Sequence, residues 1–238
     1  MTPAHLVVTP PLARRALAEF LGTALLLAAI VGSGVAAQRL SPRDVGLQLL
    51  ENSTATAAAL VAIILAVGPV SGAHLNPAVT LADGLLGGAT WRDGAAYAVA
   101  QVSGGAVGTI VANLSFSLPP VALSVKPRWG VGVWIGEALA TFGLVLVVFG
   151  VTRSRRAAVA PFAVGAYIAG AYWFTSSTSF ANPAVTLART LSDTFAGIAP
   201  ASVPPFLGAE AVACVLAVGA IRVLYPGVGG TERLERGD

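Results

Sequence analysis

Asn76 and Asn182 each open the same seven-residue string, Asn-Pro-Ala-Val-Thr-Leu-Ala, followed by Asp83 in the first copy and by Arg189 in the second. Asparagine is a strong helix N-cap, and proline is favoured at the first helical position, where its missing N–H costs nothing. Asn76-Pro77-Ala78 and Asn182-Pro183-Ala184 therefore predict two helix starts. Each start carries the positive end of a helix dipole, ~+0.5 charge, and each asparagine amide adds N–H donors. The chemistry of such a pair makes and breaks no covalent bond. Two electropositive ends facing one narrow passage repel cations and offer hydrogen bonds to neutral solutes. A single copy reads as an ordinary cap, whereas two copies at matching places in an apolar chain point to a pore.

Other reactive side chains are few. Glu19, Glu137 and Glu210 fall inside apolar runs, where an ionised carboxylate costs ~2.5–3.5 kcal/mol on insertion scales, so each is a functional candidate. They are compatible with titrating groups of a proton-coupled secondary transporter or with a scaffold that holds pore backbone. Cys214, the one cysteine, lies in an apolar run and reads as a packing residue. His5 lies in a Pro-containing terminus and His74 just ahead of the first tip; two histidines and a distant cysteine make no metal site, and no cofactor is expected. His74 reads as a packed, hydrogen-bonded ring more readily than as a pH gate. The chain carries no G-x-S-x-G elbow, phosphate-binding loop or dinucleotide fingerprint, so an enzyme is not expected.

The elements that must position these residues are membrane helices. Of 238 residues, 55% are apolar and 11% charged, and the mean hydropathy is +0.78, which places the chain among integral membrane proteins. Six stretches are long enough to cross a hydrocarbon core, roughly 15–37, 53–68, 94–116, 132–151, 157–174 and 203–224. Two more, roughly 77–86 and 183–191, rise only ~15 Å and must stop near the midplane. Irregular backbone at that depth is tolerated where it is buried in protein or lines a watery cavity. Arg14 and Arg15 precede the first span in the manner of a secretory signal, but the five later spans and Glu19 within it argue for a retained helix.

Two halves repeat. Ala18-Glu19-Phe20-Leu21-Gly22-Thr23 is echoed by Gly136-Glu137-Ala138-Leu139-Ala140-Thr141, and Ala100-Gln101 by Ala209-Glu210. Each half holds three spans and one half-helix, so the second must enter the membrane inverted. The expected fold is an all-α integral membrane protein, with six transmembrane helices and two re-entrant half-helices in an inverted repeat. It forms one channel domain over 1–238, with repeats at about 13–120 and 131–225. Placing both termini in the cytoplasm puts nine arginines inside, among them Arg153, Arg155 and Arg156 in one short loop, and leaves Arg39, Arg43, Lys126, Arg128 and Arg189 outside. The net charge of +3 is thus topological, and no nucleic-acid partner is implied. The Gly-rich tail from Gly227 to Asp238 reads as a solvated end. Gly104, Gly105 and Gly108 in the third span suggest close helix contact.

These motifs resemble the aquaporin and aquaglyceroporin family, the major intrinsic proteins, over nearly the whole chain. Ser71-Gly72-Ala73-His74-Leu75-Asn76-Pro77-Ala78-Val79-Thr80 is similar to the family's first pore loop, and Ala18-Glu19-Phe20 with Gly22-Thr23 to its first helix. The resemblance implies a homotetramer in the plasma (inner) membrane with one pore per subunit. It also implies pore-loop support by Glu19, Glu137 and His74, and an outer constriction known as the aromatic/arginine filter. Most members carry Arg after the second Asn-Pro-Ala, and here Val185 stands there. By the same counting the other filter positions fall on Thr56, Gly170 and Ser179, none aromatic and none charged, which predicts a wide filter. Arg189, one turn outward, is either a charge in the outer vestibule or an i, i+4 partner of Asp193. The segment Tyr172 to Ala181 ahead of Asn182 resembles a bacterial branch associated with arsenic resistance. The resemblance thus implies passage of water, glycerol, arsenite and methylated arsenicals. The alternatives are an ordinary water or glycerol aquaporin, the proton-coupled transporter, and a purely structural junction protein, which would need no dipole-bearing tips.

Overall fold

The computed structural model describes residues 9–154 and 156–226; His5, Arg155, Arg233, Arg236 and the tail after 226 lie outside them. The six long apolar helices are α1 (Leu12–Leu40), α2 (Val45–Ser71), α4 (Trp91–Ser115), α5 (Val131–Arg153), α6 (Ala160–Phe174) and α8 (Val203–Leu224). Two short helices, α3 (Pro77–Leu85) and α7 (Pro183–Ala188), complete the set.

Local chemistry sets the ends. Asp44 caps α2 by accepting from the Leu47 N–H at 2.9 Å, and Thr90 caps α4 through the Asp93 N–H at 3.1 Å. The first cap starts α2 eight residues before the expected 53, because Gln48 and Glu51 face Ser41 rather than lipid. The span expected at 157–174 opens with a single 3-10 turn, Ala157–Val159, before α6 proper, and the second half-helix gives way after Ala188 to another, Arg189–Leu191.

α1 packs on α2 and α4, and α5 on α6 and α8. Two glycines of α4 make the first packing possible: a Cβ on Gly104 or Gly108 would lie 2.3 or 2.0 Å from the backbone oxygens of Phe20 and Ala24. Arg222 at the end of α8 donates to the Leu85 carbonyl at the end of α3. The end of the α7 segment meets the other face, where Leu191 O accepts from Ala122 N and Asn113 Nδ2. The two half-helices thus point to opposite faces, the terminal face for α3 and the face carrying the 116–130 loop for α7. Six spanning helices enclose them as an inverted repeat.

Candidate functional site: two tips and a constriction

The tips meet. Asn76 Oδ1 accepts from the Ala78 N–H at 2.8 Å, and its Nδ2 donates across to Ala181 O at 2.7 Å. Asn182 does the reciprocal, accepting from Ala184 N and Val185 N and donating to Leu75 O at 2.8 Å. One N–H of each amide therefore ties the tips together, and the other has no protein partner among the described residues. Both asparagines line a cavity of about 890 Å³. It runs from Gly87, Gly88, Asp83 and Arg153 at the terminal face to Thr56, Tyr172, Ser179, Phe180 and Val185.

The loops ahead of the tips are built alike. Gly72, Ala73 and Leu75 have φ of +88°, +50° and +52°, and Thr178, Ser179 and Ala181, at the same register, have +61°, +50° and +48°. Left-handed backbone costs ~1–2 kcal/mol for each non-glycine residue, so such a run persists only if something holds it. Glu19, fully buried, accepts from His74 N at 2.9 Å, Leu75 N at 2.6 Å and the Ser71 hydroxyl at 2.6 Å. Glu137, equally buried, accepts from Phe180 N at 3.1 Å and from Ala181 N. Ser71 and Ser177 each accept from the N–H two residues on, at 3.1 Å.

Behind them the halves differ. Gln101 donates to Glu19 and to Thr80 Oγ1, whereas its counterpart Glu210 accepts from Asn182 N at 3.1 Å and the Thr186 hydroxyl at 2.7 Å. The His74 ring sits 3.1 Å from Thr80 Oγ1 and edge-on to Tyr97. None of Glu19, Glu137 or Glu210 reaches the cavity wall.

The cavity wall corrects one expectation. Thr56, Ser179 and Val185 line the cavity, but Gly170 does not; a Cβ there would meet the Phe174 ring at 3.7 Å. The cavity stripe of α6 is Ala160, Val164, Ile168 and Tyr172, spaced four apart as one helix face requires. A two-residue offset turns a helical side chain by ~200°, which carries position 170 to the far side. The cavity wall here does include aromatic residues: Tyr172, whose hydroxyl lies 3.4 Å from Thr56 Oγ1, and Phe180.

Arg189 also departs from expectation. It is 1% exposed, off the cavity wall, with Nε donating to Ala196 O and the guanidinium carbon 3.5 Å from the Phe180 ring centroid. It makes no pair with Asp193, which accepts from Val125 N and Ser124 Oγ, because α7 ends at Ala188 and an i, i+4 geometry never forms. Sequence reasoning missed Tyr172 and Phe180 on the cavity wall and the bracing serines. Only the serines left a signal, Ser71 and Ser177 standing at the same distance before each asparagine.

Residues 7–209 match the Major intrinsic protein family. The chain is 51% identical to the aquaglyceroporin AqpS of Rhizobium meliloti, over 90% of this chain and 91% of that one. It is 32% identical to the probable aquaporin AqpM of Archaeoglobus fulgidus, over 80% and 88%. The aquaglyceroporin of Plasmodium falciparum, 21% identical, shares the fold with a TM-score of 0.65 over 90% of this chain and 99% of that chain. With two asparagine-capped half-helices meeting beside a continuous cavity, the chain belongs to the major intrinsic protein family, the passive membrane channels that include aquaporins and aquaglyceroporins.

Proposed function

We propose that this channel passes small uncharged hydroxylated solutes, with arsenite and methylated arsenicals among them alongside glycerol and water. The observation that carries the reading is the make-up of the constriction. A guanidinium at 185 would place five N–H donors and a fixed charge in the lumen; Val185 offers neither. Around it stand three hydroxyls, of Thr56, Tyr172 and Ser179, and the buried Ser179 Oγ has no protein partner. A wall that combines the hydroxyl-bearing Thr56, Tyr172 and Ser179 with Val185 and Phe180 suits a solute with several O–H groups and an apolar flank. Arsenous acid is uncharged at neutral pH and polyol-like, and its methylated forms add such a flank. The name of the 51% identical relative, an aquaglyceroporin, agrees with glycerol passage.

The transporter reading needs carboxylates that meet the transported species. Glu19, Glu137 and Glu210 instead hold loop backbone, fully buried behind the wall. We further read residues 1–238 as one channel domain, assembled as a homotetramer in the plasma membrane with both termini cytoplasmic. The face carrying the 116–130 loop is then the outer one.

The test is Val185→Arg in an arsenite-sensitive, channel-deficient bacterium. Arsenite and glycerol uptake by the parent should fall at least tenfold in the variant while water permeability persists. Equal uptake of a methylated arsenical by both would show that position 185 does not face the solute.

A further inference from the structure

The loop between α4 and α5 lies along the segment that follows α7. Ser124 N donates to Thr190 O at 2.9 Å and Ala199 N to Lys126 O at 2.7 Å. Between these ties, three cations converge on three successive carbonyls. Lys126 Nζ donates to Phe195 O at 2.9 Å, Arg189 Nε to Ala196 O, and Arg128 Nε to Gly197 O at 2.9 Å. Among the described residues no carboxylate lies in ion-pair contact with them, although Glu137 acts on Arg128 and Arg189, and Asp193 on Lys126, from further away. Among the described residues the Arg ion pair is Arg15 with Asp93, and Asp193 is engaged by Val125 N and Ser124 Oγ.

Arg128 also reaches the second pore loop. Its Nη1 donates to Ser177 O and Thr178 Oγ1, both at 3.2 Å, and its guanidinium carbon lies 4.8 Å from the Phe180 ring centroid, the ring that Arg189 also covers. Ser179 and Phe180 are lumen wall, so the charge stands one residue behind it. In the first half the matching carbonyl, Ser71 O, accepts from the neutral Tyr97 hydroxyl at 2.8 Å. The halves thus differ in charge at two places: Arg128 stands behind the second pore loop where the first has the Tyr97 phenol, and Glu210 stands behind the second tip where the first half has Gln101.

We propose that Arg128, with Arg189 against the same ring, supplies the fixed positive charge that position 185 lacks, and is a specificity-determining residue that excludes cations. The inference rests on the reading of Thr56, Tyr172, Ser179 and Val185 as the outer constriction. Moving the charge from the wall to the layer behind it keeps a repulsive field on cations, which falls slowly with distance in a low-dielectric surround. It also removes the bulk and the donors that would narrow the opening to neutral solutes.

The experiment reads potassium leak relative to water permeability in proteoliposomes of the full chain, so that it does not depend on arsenite passing. Arg128→Gln should raise the ratio at least tenfold, and Arg128→Lys should hold it within threefold of the parent. Thr178→Asp keeps Arg128 and its backbone bonds but sets a carboxylate beside it, at a left-handed position that aspartate tolerates. It should also raise the ratio tenfold, with Thr178→Asn unchanged, and this arm stands if Arg128→Gln fails to insert. The proposal is overturned if Thr178→Asp stays within twofold of the parent, or if Arg128→Lys leaks like Arg128→Gln, since the loop and not the charge would then matter. Failure of the constriction reading appears separately, as Val185→Arg without effect on solute uptake.

Discussion

Replacing Glu137 with glutamine tests how the second pore loop is held. The side chain is fully buried and its two oxygens serve two N–H groups, Phe180 N and Ala181 N. Glutamine keeps one acceptor and turns an NH2 toward the other N–H. A hydrogen bond to a charged group contributes ~1.5–3 kcal/mol, and a buried donor left unmade costs ~1–3 kcal/mol. The loop also stores left-handed backbone at Thr178, Ser179 and Ala181, at ~1–2 kcal/mol each. Losing about 3 kcal/mol of support shifts the loop equilibrium roughly a hundredfold, at ~1.4 kcal/mol per decade. Stopped-flow light scattering on proteoliposomes with matched protein content should show water permeability per channel reduced at least tenfold, with a lower Tm. Glu19→Gln should behave alike, because Leu75 N and His74 N depend on it in the same way. A Glu137→Gln channel with parental permeability and Tm would refute the claim that these carboxylates hold the loops open.

Three further outcomes follow from the geometry. Tyr172→Ala should raise glycerol uptake severalfold and Gly170→Ala should leave it as in the parent, since position 170 faces Phe174 and not the lumen; the reverse result would return position 170 to the constriction. Gly108→Ala forces a Cβ to within 2.0 Å of the Ala24 backbone oxygen, and overpacking of this kind costs ~1–3 kcal/mol, so its Tm should fall while a surface control such as Gly132→Ala stays put. Lys126, the only lysine, has its ammonium pulled down to about 8 by burial first and then by Arg128 and Arg189. Because the unfolded chain holds that proton up to an ordinary lysine value, this group's contribution to stability rises with pH above about 8 and is lost as pH falls through it. Titration of the ¹³C-dimethylated protein by NMR should show this depressed value, and Arg128→Gln should move it upward; a titration at the ordinary lysine value would show that the three cations do not converge.

Much of this architecture was legible in the residues because it is written locally. Asn-Pro marks a helix start through capping chemistry alone, and spans of ~20 apolar residues mark membrane helices. The inverted entry of the second half follows from counting spans. The constriction was less legible. Tyr172 and Gly170 differ by two residues on one helix, and only the packed rotation of α6 decides which meets the lumen. Arg128 lies in a loop whose path along residues 190–199 is set by backbone hydrogen bonds that no local pattern announces. Arg189 looked free to reach outward, yet the end of α7 at Ala188 folds it beneath Phe180.

Neutral hydroxylated solutes are proposed to pass beside two facing helix tips by diffusion. Arsenite influx into proteoliposomes at neutral pH, followed against concentration with and without a protonophore, tests it most directly. Influx should grow linearly with the gradient and ignore the protonophore. Influx that saturates and collapses with the proton gradient, or no influx while water still crosses, would contradict it.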